Sequence, residues 1–163
     1  MENNPFEPFK IALTFGRFNL LHKGHIDLFT QMAQTSDEVL IGVSTGPDNL
    51  PYSDRAAVIS KANRTDPFGA ITRVLPKRQP FELLNEVAAH VEPERVVFYV
   101  GEDQFKLAKA VERTLGYTTR TIPRITSSTL VRQAIDNEEW DLLTGMIPGS
   151  IINDVIQLHL KNA

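Results

Sequence analysis

The chain lacks cysteine, and it has no long apolar run. Without cysteine it forms no disulfide, no thiolate nucleophile and no thiolate-bound zinc or iron–sulfur centre. Its longest apolar runs, at 39–43 and 96–100, are far shorter than the ~20 residues of a membrane-spanning helix. The N-terminal segment carries Glu2, Glu7 and two prolines in place of the basic and apolar regions of a signal peptide. We therefore expect a soluble, cytoplasmic protein without a membrane partner.

The chain also lacks an excess of positive charge. Its 163 residues include 17 Lys and Arg against 20 Asp and Glu, a formal net charge of -3. This balance argues against nonspecific nucleic-acid binding through a global positive field, so any polyanion must be held by a local site. With 42% hydrophobic and 23% charged residues, the composition is that of a folded globular protein. The length suits one domain, and no repeat or long linker interrupts it, so we expect a single domain across 1–163.

Short β-rich runs alternate with longer segments of helical period. Strands are predicted at 10–15, 38–44, 70–75, 95–100 and 118–122, and helices at 24–34, 53–62, 81–91, 104–115, 127–136 and 150–160. This order is typical of parallel strands joined by crossover helices. We predict an α/β fold with a Rossmann-like, doubly wound sheet of five parallel strands in three α/β/α layers. The ligand crevice of such a sheet lies beyond the carboxyl ends of the strands, at the loops after strands one, four and five.

The loop after strand one is rich in polar residues and glycine. It leads into the first predicted helix and combines two glycines and two cationic side chains with a His-x-Gly-His pattern, through Phe15, Gly16, Arg17, His22, Lys23, Gly24 and His25. Two imidazoles three residues apart at a helix start share a face, and the glycine between them lets a ligand approach the backbone. The free N–H groups of the helix attract an anion. The loop therefore predicts a phosphate site.

Other interpretations of the two histidines stay open at this point. A His-x-x-His pair also suits a metal ion, but a closed zinc site needs further His or Cys ligands, and only His90 and His159 remain. A purely structural role is the third interpretation. The dinucleotide fingerprint G-x-G-x-x-G and the P-loop pattern G-x-x-x-x-G-K-[ST] are both absent, which argues against a dehydrogenase or a P-loop kinase.

A second polar segment follows strand five. Three hydroxyl residues stand at the start of a predicted helix, with an arginine one turn inside it: Ser127, Ser128, Thr129 and Arg132. Ser127 taken alone is an ordinary N-cap. The segment lies on the same sheet edge as the histidine loop, however, and hydroxyls, free N–H groups and a guanidinium together form a second anion site.

The two segments resemble the nucleotidyltransferases that carry [HT]-x-G-H after strand one and an I-S-S-T-x-x-R-like segment after strand five. His22–His25 and Thr126–Arg132 match these motifs in order. Within this cytidylyltransferase-like superfamily, Gly16-Arg17-Phe18 and Leu50–Arg55 are similar to the archaeal-type nicotinamide mononucleotide adenylyltransferases. The sequence departs from them at Leu20, where they carry proline, and in having no tryptophan in the middle of the chain.

The resemblance implies an enzyme that transfers AMP from ATP to a phosphomonoester, first of all nicotinamide mononucleotide in NAD biosynthesis, and releases pyrophosphate. It implies catalytic roles for His22, His25 and Arg132. It implies an acceptor-phosphate contact for Arg55, whose alternative is a solvated helix arginine. It implies nucleotide contacts for Phe15, Gly16, Arg17, Lys23, Gly24, Gly101, Asp103, Ser127, Ser128 and Thr129. Asp103 is expected either on a ribose hydroxyl or as a helix cap.

Cofactor and partners follow from the same resemblance. Magnesium is expected to bind mainly through the substrate phosphates, with few protein ligands. The expected partners are ATP and a small phosphorylated acceptor, not nucleic acid, and a homo-oligomer is left open. Phe18–Ile26 and Gly42–Thr45 are also similar to cytidylyltransferases of glycerol phosphate or choline phosphate, although Asn19 stands where those carry Asp. A phosphopantetheine adenylyltransferase and a non-catalytic nucleotide sensor are the further alternatives.

Overall fold

The computed structural model describes residues 9–69 and 71–163. Its centre is one parallel sheet of five strands in the order β3-β2-β1-β4-β5. The strands are β1 (Ile11–Gly16), β2 (Glu38–Ser44), β3 (Ile71–Lys77), β4 (Val96–Gly101) and β5 (Thr118–Ile122). The order reverses between β1 and β4, so the crevice of this doubly wound sheet lies at the carboxyl ends of these two central strands.

The described residues form seven α-helices around the sheet. They are α1 (Lys23–Thr35), α2 (Tyr52–Thr65), α3 (Pro80–Ala88), α4 (Phe105–Leu115), α5 (Ser128–Asp136), α6 (Trp140–Met146) and α7 (Ile152–Lys161). Short 3₁₀ turns at Pro93–Arg95 and Glu102–Gln104 flank β4. None of the helices within these described ranges combines the length and the apolar character that crossing a membrane requires.

Two apolar cores, one on each face of the sheet, make three layers. On one face α1, α2, α5, α6 and α7 pack against the sheet, with Phe29, Met32 and Ile59 among the fully buried side chains. On the other face α3 and α4 pack through residues such as Leu84 and Val111. The side chains of β1 alternate between these cores, as the two-residue period of a strand requires. The predicted fold class is thereby confirmed.

Some elements differ from the predicted ones: α2 runs on to Thr65, α3 already ends at Ala88, and β3 and α6 differ for reasons visible in the structure. β3 was predicted to stop before Pro76, but it continues to Lys77, because β3 is an edge strand and the missing N–H of a proline costs no ladder bond there. Ala70, its predicted first residue, lies outside the described residues, as does most of the N-terminal segment considered for a signal peptide. Helix α6 was not predicted, because its apolar side chains do not share one buried face: Leu143 is buried, whereas Trp140 and Leu142 are exposed.

Candidate functional site

A cavity of about 590 Å³ lies beyond the carboxyl ends of β1, β4 and β5. It is bordered by the two polar segments that follow β1 and β5 and by the turn that follows β4. Twelve of the fourteen predicted site residues line it: Phe15, Gly16, Arg17, His22, Gly24, His25, Gly101, Asp103, Ser127, Ser128, Thr129 and Arg132. The fold therefore brings the loops after strands one, four and five into one pocket.

The two histidines are fixed by the start of α1. His22 is the N-cap, and its Nδ1 accepts a hydrogen bond from the backbone N–H of Gly24 at 3.1 Å. His25 closes the reciprocal half of a capping box, because its Nδ1 accepts the N–H of His22 at 3.3 Å. The rings stack with their centroids 3.7 Å apart and their planes 20° from parallel. Each imidazole thus satisfies a backbone donor that the helix start leaves free.

This capping determines which ring nitrogen carries the proton. A neutral imidazole that accepts through Nδ1 holds its proton on Nε2. Burial lowers the pKa of His22 to about 4, with a smaller contribution from the positive charge of Arg124. Burial also lowers the pKa of His25 well below its ordinary value, and His22 and Arg124 add to the effect. At neutral pH the site therefore presents two neutral rings, each with Nδ1 engaged in the helix cap and with its proton on Nε2.

Gly24 is required by the position of the His22 ring. A Cβ at residue 24 would lie 2.9 Å from His22 Cε1, closer than a Cβ normally approaches another atom, and 3.0 Å from His22 Nδ1, which is also tight. Any side chain there would push the ring out of its cap. The glycine of the His-x-Gly-His pattern is thus explained by the ring that folds over it, in addition to the access it gives a ligand.

The start of α5 forms the opposite wall of the cavity. Ser127 is the N-cap, with its Oγ accepting the N–H of Leu130 at 3.2 Å. The amides of Ser128 and Thr129 lie in the first turn, where no helical acceptor exists for them. Arg132 Nη2 donates to Thr129 Oγ1 at 3.1 Å, which places the guanidinium over the same turn. Hydroxyl groups, free amides and a guanidinium therefore converge on one region, as an anion site requires.

The cavity is positively charged although the chain as a whole is acidic. Its lining includes three arginines, Arg17, Arg124 and Arg132, and among the described residues a single carboxylate, Asp103. The Oγ1 of Thr126, also in the lining, is buried and has no hydrogen-bond partner among the described residues. An unpartnered buried hydroxyl costs free energy unless a ligand or water completes it. The lining therefore suits a polyanion with many oxygen acceptors.

The comparisons with known proteins agree with this geometry. A family model described as "Cytidylyltransferase-like" matches residues 13–134, three quarters of the chain. The chain belongs to the cytidylyltransferase-like family. The match contains the segments after β1, β4 and β5, and membership of a nucleotidyltransferase family, as predicted from the two motifs, is confirmed.

Curated relatives of this cytidylyltransferase-like chain are adenylyltransferases. A nicotinamide-nucleotide adenylyltransferase of Haloarcula marismortui is 25% identical over 158 residues, covering 88% of this chain and 79% of that protein. A phosphopantetheine adenylyltransferase of Methylocella silvestris is 36% identical over 58 residues, only 34% of this chain and 35% of that protein. The structure of Plasmodium falciparum nicotinic acid mononucleotide adenylyltransferase complexed with NaAD has a TM-score of 0.74 at 12% identity, covering 95% of this chain and 98% of that one. That likeness shows the shared fold.

Two predicted site residues of the cytidylyltransferase-like chain do not reach the cavity. Lys23 was predicted to contact nucleotide, but it does not line the cavity, and its Nζ donates to the carbonyl of Thr144 in α6 at 3.3 Å. Arg55 was predicted to contact the acceptor phosphate, with a solvated helix arginine as the alternative. The solvated alternative is wrong, because the Arg55 side chain is buried and donates to the carbonyls of Arg17 and Leu50, and Arg55 does not line the cavity.

Sequence reasoning missed Arg124 in this family member. It stands two residues after β5, lines the cavity, and its Nη2 lies 3.3 Å from Asp103 Oδ2, while its N–H donates to Glu102 Oε1 at 3.0 Å. These contacts join the loops after β4 and β5 at the cavity. The available signal was its position directly between strand five and the Thr126–Arg132 motif. Asn19, Ser44 and Gln104 also line the cavity without having been predicted.

The rival interpretations can be compared with the geometry. No group of three or more His, Cys, Asp or Glu residues within the described ranges is placed to hold a metal ion. His90 is exposed, and His159 Nε2 forms a hydrogen bond with Asp136 Oδ1 at 2.7 Å. Asp136 lies one turn after Arg132 on α5, yet it contacts His159, whereas Arg132 donates to Thr129. The structural interpretation of His22 and His25 is correct in that they cap α1, but they also line the cavity.

Proposed function

We propose that the protein transfers AMP from ATP to nicotinamide mononucleotide and releases pyrophosphate. The observation that carries the proposal is the stacked His22–His25 pair, whose two Nε2–H donors lie in the same cavity as the start of α5. A triphosphate needs donors along its length, and this cavity offers them from two elements. The family and the named relatives support the reaction type.

The reaction needs positioning more than it needs a base. An oxygen of the acceptor phosphate attacks the α-phosphorus of ATP and forms a new P–O bond. The bond from that phosphorus to the bridging oxygen breaks, and pyrophosphate leaves with the electron pair. A phosphate monoester is already an anion near pH 7, since its second pKa is about 6, so no proton must be removed from the nucleophile. In-line placement and stabilisation of shifting charge remain as the work of the protein.

The described residues suit that work. His22 and His25, neutral but donating through Nε2, stabilise the oxygens of the α-phosphate as charge moves onto them. The amides of Ser128 and Thr129, with Arg132, bind the β- and γ-phosphates. Arg124, four residues before the start of α5, lines the cavity and adds its positive charge to those of Arg17 and Arg132. The proposed site thus has donors for both the reacting phosphate and the leaving group.

Magnesium fits this arrangement as a partner of the substrate. Asp103 is the one carboxylate that lines the cavity in the described part of the chain, and it is already paired with Arg124. Mg²⁺ keeps several waters and binds readily to phosphate oxygens. We propose that it binds mainly through the triphosphate, where it supplies charge neutralisation between neighbouring phosphates. Asp103 is free to bind a ribose hydroxyl once Arg124 turns to phosphate.

The acceptor rests on the relatives. Nicotinamide mononucleotide is supported by the Haloarcula protein, whose match covers most of this chain. Phosphopantetheine is the second candidate, because the Methylocella match is more identical although it covers about a third of the chain. We propose further that the enzyme works in the cytoplasm on these small molecules and not on nucleic acid or membranes, as a monomer or a homo-oligomer.

A pyrophosphate-release assay tests the proposal. ATP and CTP are each offered with nicotinamide mononucleotide, nicotinate mononucleotide, phosphopantetheine, glycerol phosphate and choline phosphate, with and without Mg²⁺. We expect turnover with ATP, Mg²⁺ and nicotinamide mononucleotide. The control is His90→Ala, an exposed histidine outside the cavity, which should retain full activity. Turnover with CTP and choline phosphate but not with ATP would refute the proposal, and ATP binding without pyrophosphate release would identify a nucleotide sensor.

A further inference from the structure

Arg55 is the largest side chain that is fully buried among the described residues, and the proposed reaction gives it no role. Its relative exposure is 2%, and it makes no ion pair within the described ranges. Burying a guanidinium without a carboxylate is unfavourable, and an apolar side chain of similar volume is often at least as stabilising. Burial lowers the pKa of Arg55, which reflects the same unfavourable desolvation. The side chain therefore needs an explanation other than core packing.

Its hydrogen bonds join two loops. From the first turn of α2, Arg55 Nε donates to the carbonyl of Leu50 at 2.7 Å, and Nη1 donates to the carbonyl of Arg17, also at 2.7 Å. Leu50 belongs to the segment before α2, and Arg17 belongs to the loop after β1. Charged donors make strong hydrogen bonds, and these two are short. Arg55 thus fixes a peptide group of the histidine loop from outside the cavity.

The fixed peptide group leads directly into a strained residue. The Arg17 carbonyl precedes Phe18, whose φ is 49°, in the left-handed region that costs free energy for any residue but glycine. The surrounding structure must hold such a conformation. The hydrogen bond from Arg55 Nη1 to this carbonyl is one contact that does so.

Phe18 in turn contacts the second histidine. Its ring lies edge-on to His25, with the centroids 5.0 Å apart and the planes at 76°, and it packs on Phe29 at 5.4 Å. The ring also lies directly over Gly16, where a Cβ would be 2.9 Å from Phe18 Cζ. His25 is therefore oriented by two rings, by stacking with His22 and by the edge contact with Phe18.

We propose that Arg55 is a positioning residue for the histidine pair: by holding the Arg17 carbonyl it keeps Phe18 in the conformation that orients the His25 ring. The effect on turnover rests on the proposed function, whereas the effect on the His25 ring does not. Arg55 does not line the cavity, so in this proposal it acts through the histidine loop and not on the nucleotide. Its removal should therefore lower kcat more than it weakens ATP binding.

The test compares Arg55→Met and Arg55→Lys with the wild type. Methionine fills much of the volume but removes both hydrogen bonds, and we expect kcat to fall by ~10-fold or more, since small misplacements of catalytic groups are costly, while KM for ATP changes less. Lysine keeps the positive charge but has a single nitrogen, so it can replace one of the two hydrogen bonds more easily than both, and it should recover part of the loss. The matched control is Ile59→Val, a fully buried change one turn further along α2 that lowers stability without touching the Arg17 carbonyl, and it should keep the wild-type kcat.

Nitrogen NMR of the imidazole rings supplies a readout that does not depend on activity. The wild type should show His25 as a single Nε2–H tautomer, because its Nδ1 accepts the His22 N–H. Arg55→Met should show a mixture of tautomers, and Ile59→Val the wild-type spectrum. A wild-type tautomer and an unchanged kcat in Arg55→Met would overturn the proposal.

If the Arg55 variants fail to fold, Phe18→Leu tests the same proposal. Phe18→Leu leaves both Arg55 hydrogen bonds available but removes the edge contact with His25, so it should reproduce the loss of kcat and the mixed tautomers. Wild-type values in Phe18→Leu would overturn the proposal as well. If the wild type releases no pyrophosphate with any acceptor, the proposed function fails, and the tautomer comparison still decides the role of Arg55.

Discussion

Replacing His22 by asparagine should reduce the acid sensitivity of the fold. His22 is 5% exposed, and burial lowers its pKa to about 4, against 6.5 for an exposed histidine. The unfolded chain binds a proton at this histidine more readily than the folded chain does. The contribution of His22 to the free energy of unfolding is therefore retained above pH 6.5 and is lost as the pH falls toward 4. Asparagine does not titrate, and its side-chain oxygen can still accept the Gly24 N–H, since asparagine is among the favoured N-caps.

The magnitude follows from these two pKa values. At pH 5 the difference in proton binding between the unfolded and folded states corresponds to ~2 kcal/mol for one histidine, and at pH 8 it is close to zero. Urea unfolding of the wild type and of His22→Asn at pH 8 and pH 5 measures it. The wild type should lose about 2 kcal/mol more than the variant between the two pH values.

Two further variants separate the effects of proton binding and capping. His90→Asn changes an exposed histidine and should lose as much stability in acid as the wild type. His22→Ala removes the cap together with the titration, so it should be less stable than His22→Asn at both pH values, by ~1 kcal/mol. If His22→Asn loses as much stability between pH 8 and pH 5 as the wild type does, then His22 is not held neutral by the fold, and the assignment of its proton to Nε2 fails.

Three further predictions concern the cavity. His25→Ala should lower kcat by ~10²–10³ with little change in the Kd of an ATP analogue, because a donor aimed at developing charge acts mainly in the transition state; a variant that unfolds would instead mark a core residue. Arg132→Ala should raise KM for ATP and Arg132→Lys should recover only part, because a guanidinium holds two phosphate oxygens where an ammonium holds one; unchanged kinetics in both would remove Arg132 from the site. Arg124→Gln should raise the pKa of His22 from about 4 toward 6.5, measured by NMR titration of the ring, because a charge that opposes protonation is lost; a pKa that stays at about 4 would show that burial alone sets it.

The parts of the site that could be predicted are those encoded by local spacing. His22 and His25 lie three residues apart at a helix start, and this spacing alone brings their rings together. Ser127 at the next such position caps α5 for the same local reason. The sheet then joins the two segments, because the carboxyl ends of parallel strands share one edge. Local patterns were therefore enough for the fold class and for placing both motif segments at the cavity.

The parts that could not be predicted depend on contacts distant in sequence. Arg55 is one of several charged residues on α2. The residues next to it in sequence do not indicate that its partners are backbone carbonyls, one of them 38 residues away. Lys23 lies inside the His-x-Gly-His motif, but its ammonium group donates to the carbonyl of Thr144, 121 residues later in the chain. A charged side chain in the first turns of a helix carries no local signal of the direction in which it points, so the partners of Lys23 and Arg55 could not be predicted.

The capping box at the start of α1 encodes the hydrogen bonds of the histidine pair locally. Both Nδ1 atoms accept backbone N–H groups of residues 22–24, within a span of four residues, and the proposed support of the second ring by Phe18 and Arg55 comes from outside that span. A designer could therefore move this arrangement to another strand-to-helix junction as a single short graft, with an aromatic side chain in the place of Phe18 to support the second ring. The same two side chains both cap α1 and line the cavity. A substitution of either histidine therefore changes the start of the first helix as well as the donors of the site.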